Sequence, residues 1–455
     1  MGCSMDLINE YCGKIASFMW GPVTLILIIG IGIYLTFVTG FFQIFNCKDI
    51  FKNTIGSLST KNQREAKGIS PFQAVSTALA GSLGTGNIFG VATAISYGGP
   101  GAVFWMWVSA FFGMMIKYAE VLLSVKYRNA DENGFYGGPM YVMEKGLKCK
   151  PLGKIFSLLC ILASFGMGST VQANSAAVAL NSGFGVSKII TSIVMTILFT
   201  IIIIGGIKRL GSTAEKIVPL MSIIYIFFSL FVLFKNASEI PSAFKTIIDC
   251  AFNFRATVSG GVGYAMIVAM RYGVARSVFA SEAGIGSSPM AHAASNAESP
   301  VKQGQWGIFE VFFNTIVMCT MTALVIMATG AFNTCNDGGT MTLTAFSSQI
   351  GEIANIIIAV CTSLFAFTTI MSWAYYGEQS IKYVFGEKLI LLYRVVYIIS
   401  IGFGGICAMS LVWKLSDIFN IMMALPNLLT LVLLSPQVVK MTKEYKKDKK
   451  AKQKQ

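Results

Sequence analysis

Residues 81–87, Gly81-Ser82-Leu83-Gly84-Thr85-Gly86-Asn87, lie in the middle of an apolar run, 74–95, that is long enough to cross a membrane. Glycine at 81, 84 and 86, with Ser82 and Asn87 nearby, gives poor helix propensity and invites a break in the helix. A break at membrane depth frees backbone groups that lipid cannot satisfy, so it has to be buried in protein or line a wet cavity. On its N-terminal side it frees carbonyls, at residues such as Ala80 and Leu83, and these suit a hard cation such as sodium. On its C-terminal side it frees the N–H groups of Thr85, Gly86 and Asn87, and a helix N-terminus suits a carboxylate. One break can thus hold an amino acid's acid group and a coupling ion together. Small residues also serve close helix packing, and an isolated stretch of this kind favours that plainer reading.

Other residues could join such a site. Thr368 and Thr369 are adjacent hydroxyls in the apolar run Phe365-Ala366-Phe367-Thr368-Thr369-Ile370. They match the oxygen ligands of a sodium site, and they equally match threonines bonded back to the preceding turn. Gln172 and Asn174 are amides at membrane depth, each needing a partner that is either a ligand or another helix. Trp373 suits a pocket wall or plain packing. Arg271, Arg276 and Glu282 are costly in a membrane and so are functional candidates. For the two arginines pairing or gating is the favoured reading, and for Glu282 the two readings balance. Lys117 and Glu120, three apart, read as a satisfied ion pair.

Some chemistries have no support. The chain carries no phosphate-binding glycine loop that would drive an ATP-powered pump, and no HExxH. The single histidine, His292, reads as structural, with a charge that can respond to pH. The ten cysteines include no CxxC and mostly lie in apolar segments, which favours reduced, buried residues over disulfides or metal ligands. No catalytic dyad or metal cluster stands at membrane depth, so the chain is not expected to be an enzyme, and no cofactor is implied.

The elements that must position these residues are membrane helices. Of the 455 residues, 54% are hydrophobic and 12% charged, against roughly 25% charged in soluble domains. Eleven segments reach spanning length: 22–45, 71–97, 101–125, 152–180, 187–207, 216–234, 257–283, 304–331, 350–377, 388–413 and 416–439. The N-terminus lacks a basic region before its first apolar run, so that run is expected to stay as a helix, and Asp6 stands where a myristoylation signal needs Ser or Thr.

The net charge of +14 is spread over loops and does not form a nucleic-acid surface. Counting lysines and arginines in alternate loops puts 24 on one side and 6 on the other. The positive-inside rule then places the N-terminus outside and the C-terminus inside. The lysines after Pro436 read as a solvated cytoplasmic tail held near anionic lipid.

Setting the first span aside leaves five plus five. The first span of each five is the interrupted one: residues 81–87 in one half, and in the other Val258-Ser259-Gly260-Gly261-Val262-Gly263-Tyr264 running on to Ser281-Glu282-Ala283-Gly284-Ile285-Gly286. An odd number of helices per half inverts the second half relative to the first. Broken helices at matching positions of inverted halves mark the binding site of a secondary transporter, and this correspondence overturns the packing-only reading of residues 81–87. The expected organisation is an N-terminal segment 1–70 with one extra transmembrane helix, repeats at 71–240 and 241–440, and a tail at 441–455. The fold class is all-α and polytopic.

The stretch 77–95, centred on Gly84-Thr85-Gly86-Asn87, resembles the signature of the alanine/glycine:cation symporters. So do 98–107, Lys117-Tyr118-Ala119-Glu120, 276–289, Gln303-Gly304 and 373–378, in order over almost the whole chain. One departure is Ala280-Ser281-Glu282, where that family usually reads Ser-Asn-Glu. The resemblance implies a leucine-transporter-type fold preceded by one extra helix. It also implies uptake of small neutral amino acids, chiefly alanine and glycine, driven by Na+ or alternatively H+ across the plasma membrane. The substrate carboxylate would sit on the N–H groups of Thr85 and Gly86, with Asn87, Gln172, Phe279, Gly284 and Trp373 around the substrate. Sodium would lie on the carbonyls of Ala80, Leu83 and Phe365 and the hydroxyls of Thr368 and Thr369. The expected partners are the amino acid and membrane lipid, with no nucleic acid and no obligate protein partner.

Overall fold

The computed structural model describes residues 2–57, 68–132, 134–252, 262–335, 338–406 and 410–452. Most of the glycine run at 258–264, together with Arg255, Lys61, Arg64, Lys67 and Lys454, lies outside the described residues. The chain is built from helices α1 (Gly2–Met19), α2 (Pro22–Val38), α3 (Pro71–Ser82), α4 (Phe89–Gly98) and α5 (Gly101–Lys126). Then come α6 (Lys150–Phe184), α7 (Lys188–Ile203), α8 (Gly206–Lys235), α9 (Ile240–Phe252) and α10 (Val262–Ser281). The last are α11 (Pro289–Ala293), α12 (Pro300–Ala328), α13 (Gly338–Ile350), α14 (Ile353–Phe385), α15 (Ile390–Gly404) and α16 (Ser410–Lys452). One small antiparallel hairpin pairs Asn129–Asp131 with Gly134–Tyr136.

Among the described residues, seven helices are long and apolar enough to cross a membrane. The other segments expected to span correspond to the interrupted pair α3–α4, to α10, which runs into the second break, to the shorter apolar helix α7 and to α15. The core is apolar, but the exposed surface is apolar too, and several charged and amide side chains are buried. Ile189, Ile193, Ile197, Leu391, Val395 and Ile399 are exposed on α7 and α15, while Lys117, Glu282, His292, Asn314 and Gln303 are fully buried. A water-soluble surface would not tolerate so much contiguous apolar area, whereas a lipid-facing one requires it.

Local chemistry sets the boundaries. α3 starts on a reciprocal cap: the Gln73 N–H donates to Ser70 Oγ and the Ser70 N–H to Gln73 Oε1, both at 3.1 Å, with Pro71 at the first turn. α2 stops at Val38, short of the expected 45, because Gly40 (φ 66°) and Phe41 (φ 50°) turn left-handed; the chain then re-forms as two short helices, Phe42–Phe45 and Cys47–Asn53.

α6 and α12 each contain a π-helical stretch, Ser164–Thr170 and Phe312–Cys319. Neither stretch has a compositional signature, and both border the site described below.

The lysine-rich tail is not a free solvated segment. α16 continues through it to Lys452, and one face docks on the short Cys47–Asn53 helix. Tyr445 Oη donates to Asp49 Oδ2 at 2.9 Å, Lys449 Nζ lies 3.0 Å from Asp49 Oδ1, and Lys446 Nζ donates to the Thr39 carbonyl at 3.2 Å. Met441, Thr442 and Tyr445 recur at helical spacing and give the tail an inward stripe that its charge conceals.

Candidate transport site

The first break falls where the glycines stand. α3 ends at Ser82, Leu83 (φ −76°, ψ 71°) makes an inverse γ-turn, and Gly84 (φ −108°, ψ −164°) is extended. A single turn over Thr85–Asn87 then leads into α4. The Leu83 N–H reaches Leu79 O at 2.6 Å, and the Gly84 N–H reaches Ser82 O at 2.9 Å. The N–H groups of Thr85 and Gly86 have no acceptor among the described residues. They point out of the start of a helical turn, the arrangement in which backbone N–H groups receive an anionic oxygen.

α14 packs along α3 and carries the threonine pair to the broken end. The Thr369 hydroxyl lies 3.1 Å from Ala80 O and 2.9 Å from Phe365 O. The Thr368 hydroxyl lies 3.0 Å from the same Phe365 O. Each hydroxyl has one hydrogen, so Thr369 can serve Ala80 O and Thr368 can serve Phe365 O, and the lone pairs of both hydroxyl oxygens stay open. The threonines bond back to Phe365, and Thr369 also crosses to the broken helix. Two carbonyls and two hydroxyls without a carboxylate fit a weakly bound hard monovalent cation. Leu83 O has no hydrogen-bond donor among the described residues. Ser372 Oγ donates to Thr77 O at 2.7 Å and clamps α14 to α3 one turn further on.

Gly84 allows this approach. A methyl built on it would stand 2.9 Å from Thr369 Oγ1 and 3.5 Å from both polar atoms of the Gln172 amide. Gln172 leaves the π-helical stretch of α6, donates from Nε2 to Met167 O at 3.2 Å, and accepts from Thr85 Oγ1 at 3.2 Å. It therefore fixes the Thr85 side chain above the free N–H groups. Phe279 of α10 covers the far side. A methyl on Gly86 would meet its ring at 3.0 Å, and the ring stacks on Trp413 with centroids 5.6 Å apart.

Asn87 faces elsewhere. Its Nδ2 donates to Asn314 Oδ1, and Asn314 Nδ2 donates to Ala280 O at 2.6 Å, just before the second break. Asn314, in the π-helical stretch of α12, thus joins the two interrupted helices. Sequence reasoning passed over it; the available signal was a lone amide in the apolar run Phe312-Phe313-Asn314-Thr315-Ile316.

The second break lies at the expected place. After Ser281 the backbone is left-handed at Glu282 (φ 53°), Gly284 (φ 93°) and Gly286 (φ 85°) before α11 begins. A left-handed glutamate is strained and persists only where its surroundings hold it. Gly284 does not join Thr85 and Gly86: its N–H donates to Glu120 Oε1 at 3.0 Å, and its carbonyl accepts from Asn427 Nδ2 at 2.9 Å. Trp373 packs its Cβ on Gly168 and donates from Nε1 to Glu282 Oε1 at 2.8 Å, which ties α14 to the second break. The geometry therefore gathers Ala80, Phe365, Thr368 and Thr369 on one side of the first break, and Thr85, Gly86, Gln172 and Phe279 on the other.

The profile of the sodium:alanine symporter family matches residues 5–455. The chain belongs to that family. This symporter-family chain is 43% identical over 452 residues to the sodium/alanine symporter AgcS of Methanococcus maripaludis, covering 97% of the chain and 98% of the relative. It is 37% identical over 451 residues to the probable sodium/glutamine symporter GlnT of Bacillus subtilis, covering 98% and 93%. Its fold is shared with the crystal structure of MhsT in complex with L-phenylalanine, with a TM-score of 0.54, 15% identity, and coverage of 83% of this chain and 99% of that one. The family is one of multi-pass membrane transporters, and this symporter-family chain is a transporter and not an enzyme.

Proposed function

We propose that the chain is a sodium-coupled symporter of small neutral amino acids, chiefly alanine and glycine, that works by alternating access in the plasma membrane. The observation that carries this reading is the pairing at the first break of an oxygen cage, Ala80, Phe365, Thr368 and Thr369, with the unbonded N–H groups of Thr85 and Gly86. Sodium in the cage, with Leu83 O as a further ligand, fixes α14 against the end of α3. That orders the turn whose N–H groups take the substrate carboxylate. The Phe279 ring stands against Gly86, where a methyl built on the glycine would meet it at 3.0 Å.

The reading includes eleven crossings: the seven long helices, α7, α15, the interrupted pair α3–α4 and α10. The halves 71–240 and 241–440 are inverted repeats after the segment 1–70. The N-terminus is outside, and the tail at 441–455 is inside, on the lysine-rich face. Substrate binding closes the outer side, and the broken helices rock to release both solutes inward.

The test is uptake of labelled alanine into proteoliposomes, with and without an inward sodium gradient, in the presence of unlabelled glycine or glutamine. Accumulation that requires the gradient and is inhibited more strongly by glycine than by glutamine supports the reading. Equal uptake without sodium removes the coupling, and stronger inhibition by glutamine removes the small-substrate assignment.

A further inference from the structure

Behind the second break lies a charged cluster that the sodium and substrate sites do not use. Lys117 and Glu120 come from α5, Glu282 from the break, His292 from α11 and Glu310 from α12. The side chains of Lys117, Glu120, His292 and Glu310 are 0% exposed, and Glu282 is 0% exposed as a residue. Lys117 Nζ donates to Glu282 O at 3.0 Å and to Ser288 Oγ at 2.6 Å, and lies 3.5 Å from Glu310 Oε1 and 3.7 Å from Glu120 Oε2. His292 Nε2 lies 2.9 Å from Glu310 Oε2, and His292 Nδ1 lies 2.8 Å from Gln303 Nε2. The other titratable groups in electrostatic reach of Glu282 are the Tyr376 hydroxyl on α14 and the Cys160 thiol on α6; α16 contributes the neutral Asn427.

The charges do not balance with every carboxyl ionised. Three carboxylates face one ammonium. Turning the Gln303 amide over, so that its unpartnered Oε1 accepts from His292 Nδ1, allows an imidazolium and still leaves one negative charge in excess. An uncompensated charge buried this deeply is not tolerated, so the cluster takes up a proton.

The hydrogen bonds point to where that proton sits. Both oxygens of Glu282 are engaged, by Trp373 Nε1 and by Ser287 Oγ. Glu310 faces both cationic groups: His292 lies 2.9 Å from its Oε2, and Lys117 lies 3.5 Å from its Oε1, which has no hydrogen-bond partner. Glu120 is lopsided. Its Oε1 accepts from Gly284 N–H at 3.0 Å and from Asn427 Nδ2 at 2.6 Å, while its buried Oε2 has no hydrogen-bond partner. Glu120 has only Lys117 as a charged partner, at 3.7 Å, whereas Glu310 also has His292, so the excess proton falls on Glu120, with Oε1 as the carbonyl oxygen that takes both donors and Oε2 as the hydroxyl oxygen.

We propose that Glu120 is a proton-binding site, protonated in the arrangement seen here, and that its proton is exchanged when the chain between α10 and α11 rearranges during transport. Both donors on Oε1 depend on that segment: Gly284 belongs to it, and Asn427 is shared with the Gly284 carbonyl. When the segment leaves, a new set of partners meets the carboxyl, and the proton passes from Oε2 to water. Glu282 carries the movement onward, because Trp373, which it holds, sits one turn from Thr369 on α14.

The infrared spectrum of the purified full-length protein at neutral pH tests the protonation without relying on the transport reading. Wild type is expected to show the C=O stretch of a buried carboxylic acid, shifted in D2O and absent from Glu120→Gln, which keeps the shape and the Oε1 acceptor. Absence of the band in wild type, or its persistence in Glu120→Gln, overturns the assignment. The exchange step rests on the transport reading and is read from alanine uptake at a fixed sodium gradient over a series of pH values. Wild type is expected to vary with pH, and Glu120→Gln to retain uptake while losing that dependence. Identical profiles overturn the exchange.

Discussion

The Thr369 hydroxyl stands 3.1 Å from the carbonyl of Ala80, so a side chain from the middle of α14 meets the last turn of α3 before its break. This contact places the proposed ion cage beside the N–H groups of Thr85 and Gly86. On the proposed function, the same contact lets each solute act directly on the other's ligands.

Thr369→Val keeps the shape and removes one oxygen. The expected result is a rise in the sodium concentration for half-maximal alanine uptake of about tenfold or more, equivalent to about 1.4 kcal/mol of lost ion binding. Thr369→Ser should stay close to wild type. Sodium titrations of uptake in proteoliposomes give the comparison.

Gly84→Ala puts a methyl 2.9 Å from Thr369 Oγ1 in a fully packed place. Transport should fall sharply while the protein still folds, because the clash separates α3 from α14 without removing a core side chain. Expression and detergent melting should stay near wild type while labelled-alanine uptake is lost.

The features legible in the sequence were local ones. Glycines at 81, 84 and 86 advertise a break by themselves, and the structure breaks between Ser82 and Thr85. Thr368 and Thr369 stand out as adjacent hydroxyls in an apolar run. The resemblance placed Asn87 around the substrate, while its amide pairs with Asn314, more than 200 residues away, and nothing local encodes that. The resemblance placed Gly284 around the substrate, whereas Glu120 and Asn427 occupy its N–H and carbonyl. The π-helical stretches of α6 and α12 have no compositional mark, and the tail's inward stripe is diluted among eight lysines.

Asn314→Leu removes the link between Asn87 and Ala280 and leaves buried polar groups without partners. The cost should be about 1–3 kcal/mol of stability. A lower melting temperature together with weakened transport is expected, since both interrupted helices lose their common tie. An unchanged melting temperature would show that the link carries no load.

Asp49 anchors the tail. Burial raises its carboxyl, but the hydrogen bonds from Lys449, Tyr445 and Gln305 and the Lys449 charge outweigh it and hold Asp49 below the ordinary aspartate value of 3.8. A depressed folded value means that the anchoring is present above the ordinary value and is lost as pH falls through the lowered one. At neutral pH, Asp49→Asn should therefore speed hydrogen exchange in the α16 residues beyond Pro436. In wild type, that faster exchange should appear only in acid.

The most direct measurement is equilibrium binding of labelled alanine to the purified protein in sodium and in potassium, for wild type and Thr369→Val. The structure predicts saturable binding in sodium, little in potassium, and a Thr369→Val protein that needs far more sodium to bind the same alanine. Equal alanine binding in both salts, or a Thr369→Val protein with unaltered sodium dependence, would contradict the coupling of the two halves of this site.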